Sequence, residues 1–431
     1  MHRIIIVHYH LNPGGVTRII ESQVQALKKH NPTQEIIILT GHCDDPRKFQ
    51  NAGARLIVEK KLNYLLEMSD FITEKDFLKK FFKGILKKND IIHFHNLNLG
   101  KNPILTIVVS ELASSGYRVI NHIHDFAEDR PENYQFMERV IAKVTDKPIK
   151  EILYPPTNNI SYIVLTTFDR NKLIGLGVNQ NNIQVLPNPV VLSSNRSNVD
   201  FKAERLSMVQ KFHLDPLKKI VTYPVRIIRR KNIGEYILLC CLFSDKANWL
   251  VTQPPRNPVE IKPYNQWKEL CLEYKIPLLF EAGLETDYEM LIRCSDFCFT
   301  TSTREGFGMA YLEPWIFGVP VIGRNLPNVT NDFIKTGLVF PLLYDEIKVT
   351  WNGTNSDFAS LTETIQRDII FELIKDRQKT EEIISHNRFL EKLLISVDQT
   401  LIDKNKALIL QEFSPENYAK RLNTIYRKIT G

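Results

Sequence analysis

No uninterrupted apolar run in the chain approaches the 18 residues that a spanning helix needs, so a transmembrane segment is excluded. No signal peptide is expected at the start: only Ile4 to Val7 are consecutively apolar before His8, and MHRIIIVHYHLNPGG reads as a first strand. The six cysteines, at 43, 240, 241, 271, 294 and 298, show no Cys-x-x-Cys spacing and fall mostly in apolar runs. That is the pattern of reduced core thiols in a cytoplasmic protein. Clustered charge is also absent. The formal charge of +7, from 56 basic and 49 acidic residues, is spread along the chain; it favours phosphorylated substrates or an anionic membrane surface and gives no argument for nucleic acid.

What is present is an alternation of strand-like and helix-like segments. At 431 residues the chain exceeds one ordinary core and suits two domains of about 200 residues. Short β-branched runs at Ile4–Val7, Glu35–Leu39, Arg55–Val58, Asp90–Phe94, Arg118–Ile123 and Tyr162–Thr166 alternate with helical patterns such as Arg18–Lys29 and Phe77–Lys87. Near-continuous apolar strands joined by helices imply a parallel sheet covered on both faces, hence an α/β, doubly wound first domain. The periodicity fades between Asn188 and Lys218, as at a domain junction. A second series follows, with strands near Ile220–Tyr223, Trp249–Thr252, Leu278–Phe280, Phe297–Thr300 and Val319–Ile322 and helices such as Ile233–Phe243 and Tyr264–Tyr274. No sequence repeat links the halves. The simplest arrangement is two similar domains, 1–200 and 201–410, facing each other across a cleft, with 411–431 as a terminal helix.

Three strands of the first half end alike: Val7-His8-Tyr9-His10, Ile92-His93-Phe94-His95 and Asn121-His122-Ile123-His124. Six of the eleven histidines lie there, at the carboxyl ends of strands, where open α/β sheets bind ligands. With a period of two, the histidines of each pair share a face. A metal site is one reading, although Asp125 is the one carboxylate well placed beside them. A polar cleft floor bonding hydroxyls or phosphate, with some of the six histidines merely bridging strands inside the sheet, is the other, and it makes His8, His10, His93, His95 and Asp125 candidates for an acceptor site. After the first strand, Asn12-Pro13-Gly14-Gly15 enters a helix, either as an ordinary turn or as one whose backbone N–H groups meet an anion.

In the second half, TREGFGMAYLEP (Thr303–Pro314) lies between two strands. Gly306 and Gly308 let backbone approach a ligand, and Glu305 and Glu313 are separated by eight residues, about 8–10 Å along a turn and helix. Two acids so spaced can hold the two ends of a sugar–diphosphate–ribose; alternatively Glu305 answers the helix macrodipole and Glu313 is solvated. Arg226-Ile227-Ile228-Arg229-Arg230-Lys231 places four cations after the first strand of this half, either against a diphosphate or in solvent.

The set Gly14-Gly15, His124-Asp125, Arg226 with Lys231, and Glu305-x7-Glu313 resembles the retaining GT-B glycosyltransferases of family 4 in order and spacing over nearly the whole chain, including Val185-Leu186-Pro187-Asn188 before the linker. The resemblance implies two Rossmann-like domains and a C-terminal helix, here Ser414–Lys428, crossing back to the first domain. It implies that Arg226 and Lys231 hold the diphosphate of a UDP-, GDP- or ADP-hexose. Glu305 binds the transferred sugar, Gly306, Phe307, Gly308 and Met309 offer backbone N–H groups, and Glu313 binds the ribose. His124 lies beside the anomeric centre, and Gly14-Gly15 closes over phosphate or acceptor. Two departures are visible: Pro224-Val225 replaces the glycine that usually precedes the arginine, and Arg324-Asn325-Leu326-Pro327-Asn328 replaces a later glycine-rich loop. Residues 344–410 also read as longer and more polar than the family pattern.

The expected chemistry is hexose transfer to a hydroxyl of a sugar, sugar acid or other polar acceptor, with cations aimed at the departing diphosphate. No Asp-x-Asp occurs, so no cofactor or metal is expected to be required. A His-dependent metallohydrolase and a non-catalytic sugar-binding protein are the rival classes. A lipid acceptor would want a basic and hydrophobic patch for peripheral membrane contact; Phe77–Lys88, FLKKFFKGILKK, has that composition, as does an ordinary amphipathic helix packed on the sheet.

Overall fold

The isoleucine-rich run after the N-terminus becomes the centre of a seven-stranded sheet in a computed structural model, which describes residues 2–66, 70–191 and 200–430. Strands β1 (Ile4–His8), β2 (Ile36–Thr40), β3 (Arg55–Val58), β4 (Ile91–His95), β5 (Arg118–Ile123), β6 (Ile160–Val164) and β7 (Ile183–Val185) lie in the order β3-β2-β1-β4-β5-β6-β7, every neighbour parallel. Strand alternation sorts the side chains of β1 onto two faces: Ile5 and Val7 enter one core, Ile4 and Ile6 the other. Continuous apolar strands are therefore what a sheet covered on both sides demands.

One face is closed by helices α1 (Gly15–His30) and Pro415–Thr430, the last helix of the chain. Ile20, Val24 and Leu27 meet Tyr418, Leu422, Ile425 and Tyr426, Lys29 pairs with Glu416 at 2.5 Å, and Arg421 donates to the Val185 carbonyl at 3.1 Å. The C-terminal helix thus belongs to the first unit, and the chain divides into Met1–Val191 with Phe413–Gly431, and Leu192–Glu412.

The other face carries α2 (Phe71–Ile85) and α3 (Pro103–Ser114). Leu78 and Phe82 are buried in that core, Phe81 and Ile85 pack against it, and Lys75 and Lys79 reach Glu111 of α3 at 2.9 and 2.6 Å. The membrane-like composition of this segment is that of a packed amphipathic helix, with Phe77 left as its one large exposed aromatic. Among the described residues no helix is long and apolar enough to cross a membrane.

The second unit holds a six-stranded parallel sheet, in the order β10-β9-β8-β11-β12-β13. Its strands are β8 (Lys219–Arg226), β9 (Ala247–Gln253), β10 (Leu278–Leu279), β11 (Phe297–Thr300), β12 (Val321–Arg324) and β13 (Leu343–Tyr344). Helix α4 (Ile233–Leu242) is buried on nearly every side, its one acid Glu235 included, and shares a core with α5 (Pro258–Glu273) and α6 (Glu363–Lys375). A small antiparallel hairpin, β14 (Lys348–Trp351) and β15 (Thr354–Asp357), falls in the long polar segment.

Two features differ from the sequence reading. Within the expected junction 188–218, Asp200 caps a helix, Phe201–Lys211, by accepting from the N–H groups of Lys202 and Ala203 at 3.0 and 3.2 Å. The helix carries no apolar periodicity because Met208 is its one buried residue; residues 192–199 of the junction lie outside the described residues. The substituted loop at Arg324 proves to be an internal ion-pair network. Arg324 bonds Glu235 at 2.5 Å and Asp357 at 2.8 Å, while Tyr344 donates to Glu235 at 2.7 Å.

Candidate active site

In the second unit the site begins with a defect in a strand. Between Tyr223 and Arg226 the pairing of β8 with β9 slips, three residues spanning the distance that Val251 to Gln253 covers with two. Pro224, with no N–H for a ladder, sits in this bulge, and bulges re-aim the side chain that follows. The departure Pro224-Val225 is therefore local geometry that sets where Arg226 points. Arg226 has no ion-pair partner among the described residues, and its Nε is buried without a hydrogen bond. Burial first, and then the charge of Arg256, depress its pKa. Two arginines within reach of each other, one with an idle buried donor, form a seat for an anion.

The turn after β8 is stitched to the segment after β11. The Lys231 carbonyl accepts from the hydroxyls of Tyr223 at 2.7 Å and Thr301 at 3.0 Å, and Thr303 N–H donates to the Arg230 carbonyl at 2.9 Å. This brings Glu305 against both cations: Arg230 at 2.9 Å and Lys231 in a short contact. Burial would raise the Glu305 carboxyl, but Lys231 and then Arg230 outweigh it and hold the group below the usual carboxylate range. Burial also draws Lys231 down against the pull of Glu305. Of the two cations expected at the diphosphate, Lys231 is thus paired with Glu305, and Arg226 has no carboxylate partner among the described residues. Each Glu305 oxygen still keeps lone-pair capacity for a hydroxyl.

Gly308 stands in the left-handed region at φ +87°, and a Cβ there would approach Val329 to 2.7 Å and Tyr311 to 2.9 Å. Glu305, Gly306, Phe307 and Gly308 precede a short turn of 3-10 helix, Met309–Tyr311, and the α-helix starts only at Glu313. The single helix expected through this segment is therefore two short pieces. Glu313 accepts from Tyr288 at 2.9 Å, and the same hydroxyl lies 3.2 Å from the Pro224 carbonyl. Neither Tyr288 nor Arg256 belongs to a local motif, so the sequence alone does not single them out.

In the first unit, the histidines form a ladder across the carboxyl ends of β4 and β5, beside the point where the strand order turns from β1 to β4. His124 Nε2 meets His95 Nδ1 at 3.0 Å, and His95 Nε2 meets Gln23 Oε1 at 2.8 Å. Gln23 Nε2 donates to Tyr426 Oη at 3.0 Å, Tyr426 meets His93 Nδ1 at 2.8 Å, and His93 Nε2 meets His122 Nδ1 at 3.2 Å. With Gln23 Oε1 toward His95, one direction of donation runs through all six groups. His124 then carries its proton on Nε2 and presents an Nδ1 lone pair. The chain ends on His122 Nε2, which is buried with no partner. Burial pushes His93 down to about 3 and His124 to about 4, and His95 and His122 well below the ordinary value.

Asn96, in the left-handed region at φ 66°, clamps the turn beyond β5. Its Oδ1 accepts from the N–H groups of His124 and Asp125 at 3.2 and 2.8 Å. Asp125 also pairs with Arg130 at 2.6 Å. His8 bonds the His95 carbonyl at 2.9 Å, and His10 meets Tyr64 Oη at 3.1 Å. His93 and His95 are 0% and 1% exposed with both ring nitrogens bonded internally, so neither is available to touch an acceptor directly. His10, His124 and Asp125 keep surface. Gly14 is extended, at φ −176°, and begins α1 without a side-chain cap; Gly15 has open space where a Cβ would stand. The ligand atoms of His93, His95 and His122 lie within 4.8 Å of one another, the one such metal-capable group among the described residues.

No family model matches the chain. It is 28% identical over 450 residues to mannosylglucosyl-3-phosphoglycerate synthase of Petrotoga mobilis, covering 100% of this chain and 85% of that protein. Among solved structures, sucrose-phosphate synthase of Thermosynechococcus elongatus matches with a TM-score of 0.63 at 15% identity, over 100% of this chain and 99% of the other. Anabaena HepE in complex with UDP-glucose matches with a TM-score of 0.60 at 13% identity, over 99% and 100%. At such identities the structural likeness is one of fold. The fold is that of the GT-B glycosyltransferases, with its two parallel sheets of seven and six strands.

Proposed function

We propose that this chain, whose fold is that of the group 1 GT-B glycosyltransferases, transfers a hexose with retention from a nucleotide-diphosphate sugar to a hydroxyl of a polar acceptor and needs no metal. The observation that carries the proposal is Arg226, a cation with a buried, idle Nε beside Arg256 at the end of a bulged strand. As the anomeric C–O bond breaks, its electron pair moves to the diphosphate, and a guanidinium already oriented there stabilises the growing charge without reorganisation. The acceptor oxygen forms the new C–O bond on the same face, and its proton passes to the departing phosphate oxygen. Glu305, ionised and fixed by Arg230 and Lys231, is suited to the sugar hydroxyls, and Glu313 with Tyr288 to the ribose. His124 is assigned to the sugar during transfer, its Nδ1 lone pair set by the ladder behind it. The Petrotoga relative's name makes a nucleotide-linked mannose and a glucosyl phosphoglycerate the first pair to try.

The test is turnover of nucleotide sugars, followed by product mass, in the wild-type protein and in Arg226→Ala. Loss of about 10² or more in turnover is expected; equal rates in the two proteins end the proposal. A second reading, metal-dependent hydrolysis, draws on the His93, His95 and His122 group. Its nitrogens are already bonded to one another and to Gln23 and Tyr426, and a metal would have to break that chain. Stoichiometric zinc or manganese in the purified protein would favour this second reading.

A further inference from the structure

A cavity of about 760 Å³ in the second unit has no part in the site just described: Arg226, Lys231, Glu305 and Glu313 do not line it. Its size is that of a metabolite pocket, for which about 300–1,000 Å³ is usual. Helices α4, α5 and α6 all begin at its wall, through Asn232 and Gly234, Val259 to Trp267, and Thr362 to Gln366. Gly234 is forced by the wall itself, since a Cβ there would come within 2.5 Å of Gln366 Oε1 and 2.8 Å of Trp267.

The charges on this wall are unevenly satisfied. Arg229, Lys262 and Arg367 line it, and among the described residues none has a carboxylate partner. Arg367 lies over Trp267, its Cζ 5.4 Å from the ring centre, and bonds Thr364 at 3.4 Å through Nη2, while its Nη1 is buried with no partner. Two acids share the wall. Glu260 accepts from the Arg229 backbone N–H at 3.0 Å, and Glu363 stands in the first turn of α6. Three cations with an idle guanidinium nitrogen suit a dianion, and helix starts add to that preference. The acids, with Thr303 and Gln366, are acceptors for hydroxyl groups.

We infer that this cavity is a binding site for a small phosphorylated polyol, separate from the nucleotide-sugar site. Its phosphate meets Arg229, Lys262 and Arg367, and its hydroxyls meet Glu363 and Gln366. Arg229 immediately precedes the Arg230 and Lys231 that hold Glu305, so an occupant touches the turn that positions the donor site. The same chemistry describes an acceptor and an effector, and the test separates them.

Isothermal titration of the full chain with glycerol 3-phosphate, glucose 6-phosphate, glycerol and glucose is the experiment. Saturable binding of the phosphorylated ligands alone is expected, with UDP present at saturation as well as without it. Lys262→Gln, at an exposed position, and Arg367→Gln should each weaken binding about tenfold at unchanged melting temperature. Appearance of the ligand in a glycosylated product marks it as acceptor, and altered turnover without incorporation marks it as effector; both support the site. Absence of saturable binding, displacement by UDP, or unchanged affinity in both variants overturns it. Failure of sugar transfer would leave the titration untouched, so this inference and the proposed activity can fail separately.

Discussion

Four histidines buried in one unit make its stability a steep function of mild acidity. His8, His93, His95 and His122 are 6%, 0%, 1% and 0% exposed, and burial holds His8 and His93 near 3 and the other two well below their ordinary value. In the unfolded chain they titrate near 6.5. Between those values the unfolded state binds more protons, so stability falls as pH falls below about 6.5. From pH 7 to 5.5 each histidine loses about 1.2 kcal/mol, and the four about 5 kcal/mol, against a typical total of about 5–15 kcal/mol. The figure depends on the unfolded pKa, because the folded values lie below the window. For a unit of this size it corresponds to a drop in melting temperature of about 10–20 °C.

The two units supply their own control. All four tryptophans, at 249, 267, 315 and 351, lie in the second unit and the four histidines in the first. Scanning calorimetry at pH 7 and 5.5, with tryptophan fluorescence followed in parallel, should show one calorimetric transition sliding down while the fluorescent one stays nearly still. A first-unit transition that shifts by less than about 3 °C, or that moves in step with the tryptophan signal, refutes the account. Repeating the scan in a chelator removes any contribution from a bound ion.

Tyr426→Phe leaves Gln23 and His93 short of a partner and should cost about 1–3 kcal/mol in the first unit while lowering kcat more than it changes KM; an unaltered pH–rate profile would show that the ladder does not act on His124. Leu422→Ala should destabilise the same unit by about 2–5 kcal/mol by urea titration, since Leu422 is fully buried between α1 and the sheet. Gly308→Ala adds a Cβ at a positive φ against Val329 and should raise the KM for donor before it alters the melting temperature. Transfer activity should survive EDTA; loss of activity restored by one divalent ion contradicts the arginine-based proposal.

Strands such as β1 and β2 are legible because their residues are almost all apolar on both faces, and the donor-side cations and acids because each motif is local. What was hidden is pairing across the chain. Gln23 and Tyr426 are 403 positions apart, and nothing in the run Arg226–Lys231 says that Lys231 is neutralised by Glu305 while Arg226 is left free. Short elements are hidden too: β13 has two residues, and β15, Thr-Asn-Ser-Asp, carries no apolar residue at all. The histidine pairs are legible in the sequence, and so is the reading that some of the six bridge strands inside the sheet; which ones do so follows only from partners such as Gln23 and Tyr426, far away in the chain.

Because residues 415–430 cover one face of the first sheet, that sheet is complete only once this distant segment has been synthesised. Roughly 240 residues separate it from its lid, which at about 5–20 residues per second is roughly 10–50 s on the ribosome. During that interval Ile20, Val24 and Leu27 lack the cover they have in the finished protein. A nascent chain stalled before Pro415 is thus a natural client for chaperones, and a premature stop there should send the product to proteolysis.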